Sequence, residues 1–195
     1  MVPSVIMNEP ALYAQPDDRS QLVMYLQWIW QSYFADCPRV NEISIDYCYP
    51  WKGRLGLIRL SLDATMTFIG VNTLLQVQQV PEYVLITTIA HELVHYIHGF
   101  GSPLPRLYKH PHANKIVDRE LEQRNLGDYL RCCNEWIDKY WYSFYDMQRA
   151  AGWAGIQGRL VPPCSRGETS TFPALAKPRR MQVTPLTSLS ACGIF

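Results

Sequence analysis

Three residues in one short segment have the types and spacing of a metal-dependent hydrolytic site. His91, Glu92 and His95 form the pattern H-E-x-x-H, and all five histidines of the chain lie within residues 81–127. On an α-helix, residues four positions apart share one face about 6 Å apart, so the two imidazoles can bind one metal ion. Glu92 is displaced by about 100° around the helix, where its carboxylate can reach a water activated by the metal. The pattern therefore predicts two zinc ligands and a general base.

A catalytic zinc site needs a third protein ligand and leaves its fourth position to water. On a continuous helix His98 lies about 10.5 Å along the axis from His91, too far for both to bind one ion. We expect His98 to lie behind the ligands, in a lid or on the helix surface. The third ligand must then come from downstream. His112 is the first choice, His110 the second and Glu120 the third.

The helix that must carry the motif is well marked in the sequence. Pro81 and Glu82 suit its first turn, because proline lacks the unpaired N–H and glutamate complements the helix dipole. Gly99 is a typical helix end, with a second glycine and two prolines behind it. An apolar stripe at helical spacing lies beside the histidines: Leu85, Ile89, Leu93 and Tyr96. The motif thus lies on the kind of helix that its chemistry requires.

Further elements are predicted before this helix. An aspartate, Asp17 or Asp18, can cap a helix that runs to about residue 35. Alternating apolar residues predict strands at residues 42–49 and 55–62, joined by a turn at residues 51–54. Residues 63–80 are the hardest to assign. Within them 67–71 suit a strand, and 74–80 suit a short helix or strand.

Two helices are predicted after the motif. The first spans residues 113–126, and Gly127 and Asp128 suit a helix stop followed by a helix start. The second runs from residue 129 to about 150 and carries an apolar, largely aromatic stripe that we expect to be core. Its members are Cys133, Trp136, Ile137, Tyr140, Trp141, Phe144 and Met147.

The order of these elements resembles the SprT-like zinc metallopeptidase domain over residues 20–130. The match consists of a helix ending near Tyr33-Phe34, two strands, the H-E-x-x-H helix and a downstream histidine opening another helix. That segment reads His112-Ala113-Asn114-Lys115-Ile116. Two features depart from the family pattern: residues 63–79 are a longer insertion, and no C-x-x-C zinc ribbon follows.

The resemblance implies an α+β, zincin-like fold. A small antiparallel or mixed sheet would pack on an N-terminal helix, the motif helix and the C-terminal helices. It also implies peptidases that act on DNA-bound or crosslinked proteins, or small stand-alone bacterial and phage members. In peptidases of this type an edge strand commonly holds the substrate extended. The second strand or residues 65–71 could serve here.

Length and composition bound the organisation of the chain. Its 195 residues are 48% hydrophobic with a formal net charge of +1. This suits one globular domain, residues 17–150, between an N-terminal extension, 1–16, and a Pro/Ser/Arg-containing tail, 151–195, expected to be extended. The near-neutral charge gives no strong electrostatic argument for nucleic acid or an anionic membrane.

Several expectations follow for the surroundings of the protein. The start of the chain is a poor signal peptide, and no apolar run approaches the length of a membrane span. The six cysteines show no C-x-x-C pattern and are expected to be reduced thiols of a cytoplasmic protein. The tail carries five basic residues and one acid, which allows weak nucleic-acid contact. Nothing in the sequence indicates the oligomeric state.

The sequence thus predicts a zinc metallopeptidase that hydrolyses peptide or protein substrates with Glu92 as general base. One alternative is a non-catalytic, zinc-stabilised protein that associates with DNA or another partner. Another is a gluzincin-type peptidase with Glu120 as third ligand. Four residues are candidates for a second partner of the oxyanion: Tyr108, His110, His98 and Arg106.

Overall fold

The computed structural model describes residues 18–154 and residue 156, which fold as an α+β unit. Helix α1 spans Asp18–Tyr33 and precedes three strands, β1 (Glu42–Cys48), β2 (Gly56–Leu60) and β3 (Met66–Asn72). A short 3₁₀ turn, Thr73–Gln76, leads to helix α2, Glu82–Ile97. Helices α3 (Ile116–Gln123), α4 (Gly127–Trp136) and α5 (Tyr142–Ala150) follow. The predicted extension, 1–16, and nearly all of the predicted tail lie outside the described residues.

The three strands form a mixed sheet in the order β1-β3-β2. Strand β1 runs parallel to β3, and β2 runs antiparallel to it. Strand β2 therefore lies at an edge of the sheet, and among the described strands it pairs with β3 alone. The suggestion that residues 65–71 could hold a substrate as an edge is wrong, because they form most of the central strand and pair on both sides.

Helix α2 is the most buried element and contacts α1, α3, α4, β2 and β3. The predicted apolar stripe is confirmed: Leu85, Ile89, Leu93 and Tyr96 are all buried. The hydroxyl of Tyr96 accepts a hydrogen bond from the backbone N–H of Val40 (3.0 Å) and donates one to Asn41 (2.8 Å). At the other end of the stripe, Gly99 takes a positive φ of 77°, as expected of a helix end.

The predicted helix over residues 113–126 is shorter than expected. Asn114 and Lys115 both adopt left-handed backbone angles, with φ of 53° and 54°, so α3 begins only at Ile116. Asn125, with φ of 62°, closes this helix in place of Gly127, which is instead the first residue of α4. Asparagine tolerates the left-handed region better than most residues, so it can take the position usually given to glycine.

Helices α4 and α5 are joined by a π-helical turn, Ile137–Trp141, so the backbone stays helical from residue 127 to residue 150. The predicted stripe is only partly right. Its members Tyr140 and Met147 are 47% and 54% exposed, and Tyr145 and Gln148 are buried instead. A π-turn adds one residue to the turn and rotates the positions around it, although Trp141 and Phe144 stay buried as predicted.

Two earlier predictions, on membrane-spanning helices and on the cysteines, concern the described part of the chain. None of its helices has the length and apolar character needed to cross a membrane. Its four cysteines, Cys37, Cys48, Cys132 and Cys133, carry free thiols.

Candidate functional site

Helix α2 and the turn before α3 bring three imidazole rings together. The Nε2 atom of His95 lies 3.1 Å from Nε2 of His91 and 3.0 Å from Nε2 of His112. The remaining pair, His91 and His112, is separated by 3.3 Å. His95 is buried and His112 is exposed, so the group opens to solvent on the His112 side.

The three short contacts cannot all be hydrogen bonds. A neutral imidazole nitrogen either carries a proton and donates, or lacks one and accepts. Among three mutually close nitrogens at least two are therefore of the same kind, and their contact is repulsive. A cation among three accepting nitrogens removes this conflict, because every lone pair then points at positive charge.

The geometry suits one zinc ion. Three nitrogens that each lie about 2.0–2.1 Å from a tetrahedral ion are roughly 3.3–3.4 Å from one another, close to the separations of the three rings. Neutral imidazole is also a ligand that zinc commonly takes, and three protein ligands leave a fourth position open. His91, His95 and His112 are therefore the described residues that could hold the metal.

The other two candidates for third ligand lie apart from this group. His110 is exposed, and its carbonyl oxygen accepts a hydrogen bond from the N–H of Ala113 at 3.4 Å. Glu120 is engaged elsewhere: its Oε1 accepts from Nε of Arg124 at 2.8 Å, and its Oε2 lies 3.6 Å from Nε2 of His98.

The surroundings keep the imidazoles of His91 and His95 neutral. Desolvation, with a smaller contribution from His112, lowers the pKa of His91 to about 4. Burial, with the neighbouring histidines, lowers the pKa of His95 to about 3. Both rings therefore keep their lone pairs at neutral pH without competition from protons, which is the state that a metal requires.

Glu92 is buried next to these ligands, with 6% of its surface exposed. Burial raises the pKa of its carboxyl to about 8, and the charge of Arg54 opposes the shift. No donor among residues 18–154 forms a hydrogen bond with this carboxyl group. Positive charge placed among the imidazoles would lower its pKa again, because opposite charge favours the carboxylate.

A cleft of about 600 Å³ opens beside the group, between α2, β2 and α4. Strand β2 passes very close to the motif at Gly56. A Cβ atom on this residue would lie 2.6 Å from Oε1 of Glu92 and 2.9 Å from a methyl carbon of Thr88. Sequence reasoning missed Gly56, and a glycine inside a strand, a common mark of close backbone approach, was the available signal.

The wall of the cleft towards α4 is mostly apolar. Thr87 and Thr88 donate their hydroxyl hydrogens to the carbonyls of Tyr83 and Val84, at 2.7 and 2.8 Å, which leaves their methyl groups for the cleft. Four residues complete this wall: Leu130, Cys133, Asn134 and Ile137. Burial raises the pKa of Cys133 to about 12, so its side chain is a neutral thiol.

The predicted oxyanion partners do not line this cleft, whereas Arg54 does. His98 is buried and packs against the ring of Tyr108. Arg106 instead lies over the ring of Phe100. Arg54 precedes β2, and no spacing relative to the motif marked it in the sequence.

The chain matches no protein-family model, no curated protein and no solved structure. The resemblance to the SprT-like domain therefore stays a prediction from the sequence.

Replacement of Gly56 by alanine should disturb the site directly. The new methyl group would meet the Glu92 carboxyl and Thr88, so we expect displacement of β2 or of Glu92 and a loss of about 1–3 kcal/mol in the free energy of unfolding. Urea denaturation measures the loss. Gly53→Ala is the matched control, because a Cβ there meets nothing within 4 Å. Equal effects of the two substitutions would contradict the proposed close approach.

The pKa of Glu92 predicts a pH-dependent gain in stability for Glu92→Gln in the metal-free protein. Because the pKa rises from 4.5 to about 8 on folding, the protonated carboxyl favours the folded state below pH 4.5, and this advantage is lost as the pH rises through 8. Relative to wild type, Glu92→Gln should gain on the order of a few kcal/mol between pH 4.5 and pH 8.5. Chelator-treated protein unfolded in urea at both pH values tests this. A stability difference that does not change with pH would contradict it.

Proposed function

We propose that this protein is a zinc-dependent peptidase with His91, His95 and His112 as metal ligands and Glu92 as general base. The observation that carries the proposal is the approach of three imidazole nitrogens to 3.0–3.3 Å of one another, next to a buried carboxyl group. A purely structural metal site has no use for that carboxyl group, whose burial lowers the stability of the metal-free fold at neutral pH. The donor set and the base together favour an enzyme.

When bound, zinc polarises the scissile carbonyl and lowers the pKa of a water molecule at the open position. The chain's own residues perform the proton transfers. Glu92 accepts a proton from the attacking water and delivers it to the leaving amine. Arg54, the cationic residue among those lining the cleft, is our candidate for the group that stabilises negative charge on the carbonyl oxygen.

Strand β2 is the element that would hold the substrate. It is an edge strand, and its residues Gly56, Leu57 and Ile58 line the cleft beside the imidazoles. An extended peptide can add to such an edge through main-chain hydrogen bonds. The apolar wall towards α4 would then take an uncharged side chain of the peptide.

Assignment to the SprT-like peptidases is part of this proposal, supported by the H-E-x-x-H helix and by His112 placed shortly before α3. Action on DNA-bound proteins, nucleic-acid contact through the basic tail and a cytoplasmic location stay predictions. Nearly all of the tail lies outside the described residues, so the structure supports only the peptidase chemistry of the cleft.

Substitution of His112 should remove zinc, and substitution of His110 should not. Loss of one of three protein ligands should weaken zinc binding by several orders of magnitude, because the remaining two hold the ion poorly. Zinc content after dialysis and affinity in competition with a chromophoric chelator measure this. His110→Ala is the matched control, two residues away in the same loop. If His112→Ala keeps stoichiometric, tightly bound zinc, the ligand set is wrong.

Glu92→Gln should abolish peptide hydrolysis and keep the metal. The amide cannot accept the proton, so we expect cleavage of an unstructured protein such as casein to fall by at least about 10²-fold at unchanged zinc content. Cleavage by the variant at the wild-type rate would exclude Glu92 as the base. If both proteins bind one zinc ion and neither cleaves any substrate of a broad peptide library, the non-catalytic, zinc-stabilised alternative is favoured instead.

A further inference from the structure

His98 is a buried polar residue that the proposed reaction does not use. It follows the last residue of α2, and only 2% of its surface is exposed. Its Nε2 faces Oε2 of Glu120 at 3.6 Å, while its Nδ1 has no hydrogen-bond partner among the described residues. A buried nitrogen without a partner is unfavourable, which an apolar ring of the same shape would avoid. The contact with Glu120 therefore explains why a histidine, and not an apolar ring, occupies this position.

His98 contacts residues that come before His112 in the sequence and a residue that comes after it. Before His112, the backbone N–H of Leu107 donates to the carbonyl oxygen of His98 at 3.1 Å, and the ring of Tyr108 packs edge-on against the His98 ring at 4.9 Å. After His112, the His98 ring contacts Glu120, which lies in helix α3. The segment that carries His112 is thus fixed to the end of α2 at two points.

The turn between these two points needs such support. Asn114 and Lys115 both have left-handed backbone angles, which asparagine tolerates and which are unfavourable for lysine. The hydrogen bond from Ala113 to His110 is long, at 3.4 Å. The position of His112 consequently depends on how α3 is held against α2.

Glu120 is itself held in place from the other side. Nε of Arg124 donates to Oε1 of Glu120 at 2.8 Å. The guanidinium of Arg124 also donates to the carbonyl oxygen of Tyr33 at 2.6 Å and to the carboxylate of Asp36 at 2.7 Å. Glu120 therefore connects α3 with the end of α1 and with His98 at the end of α2.

We infer that His98 and Glu120 are a positioning pair for the third metal ligand: their contact docks α3 on α2 and thereby places His112 beside His91 and His95. The inference depends on the proposed metal site. It assigns Glu120 a role in metal affinity without direct coordination, so a loss of zinc in a Glu120 variant would not identify that residue as a ligand.

The test is zinc affinity, measured in competition with a chromophoric chelator, for His98→Phe, Glu120→Gln and the double variant. The phenylalanine ring keeps the packing on Tyr108 and removes Nε2. Each single substitution should weaken zinc binding by about 10- to 100-fold, the usual effect of a residue that orients a metal ligand. The double variant should bind no more weakly than the weaker single variant, because both remove the same contact.

Two controls separate positioning from general stability and from coordination. Glu135→Gln breaks the pair Arg131 with Glu135, which has the same four-residue spacing as Glu120 with Arg124, and should leave zinc affinity unchanged. Circular dichroism must show that the metal-free variants remain folded. With Co²⁺ in place of zinc, the visible absorption spectrum of Glu120→Gln should keep the wild-type band positions, whereas a lost ligand would shift them.

The outcomes are distinguishable from those that test the peptidase. If the wild-type protein binds no zinc, the metal site fails and this inference fails with it. If the wild type binds zinc and both single variants bind equally tightly, only the positioning role is wrong. A changed Co²⁺ spectrum in Glu120→Gln would overturn it in favour of direct coordination by Glu120. Should His98→Phe fail to fold, His98→Gln and Glu120→Gln decide the same question.

Discussion

The close approach of three like imidazole nitrogens is the constraint on which the structure depends. Two of them cost little to bring together, because His91 and His95 share one face of α2. The third must be carried back from a separate element against mutual repulsion. The burial of α2 on nearly all sides makes this possible, since a tightly packed helix cannot rotate its ligands away. The apolar core therefore holds a polar group that would not assemble on an exposed helix.

Much of the site was predictable from the sequence because its first half is local. The H-E-x-x-H spacing and the apolar stripe belong to one helix and Gly99 follows its end, and the structure places them as expected. Choosing among His112, His110 and Glu120 was a different problem, because it depends on two left-handed residues in a turn. No periodicity indicates such a turn. Gly56 was missed for a similar reason, since its importance depends on a neighbour 36 positions away.

The errors in the predicted fold have a common physical origin. A stripe drawn at 3.6 residues per turn assumes one uninterrupted helix, and the π-turn at Ile137–Trp141 breaks that assumption halfway along. Cys133 and Trp136 before it are buried as predicted, and so is Phe144 after it, whereas Met147 is exposed and Gln148 is buried in its place. Of the two segments suggested as a substrate-holding edge, β2 is an edge strand and residues 65–71 are not, because alternation within a strand does not show whether one or both sides are paired.

The contact between Gly56 and Glu92 joins two positions that a substitution must change together. A side chain at position 56 needs space that the Glu92 carboxyl group now occupies, because a Cβ there would lie 2.6 Å from Oε1 of Glu92. A descendant of this chain that had lost the general base could fill the gap with a larger residue in β2. Covariation of these two positions among related sequences would therefore separate active members from inactive ones, even where every histidine is retained.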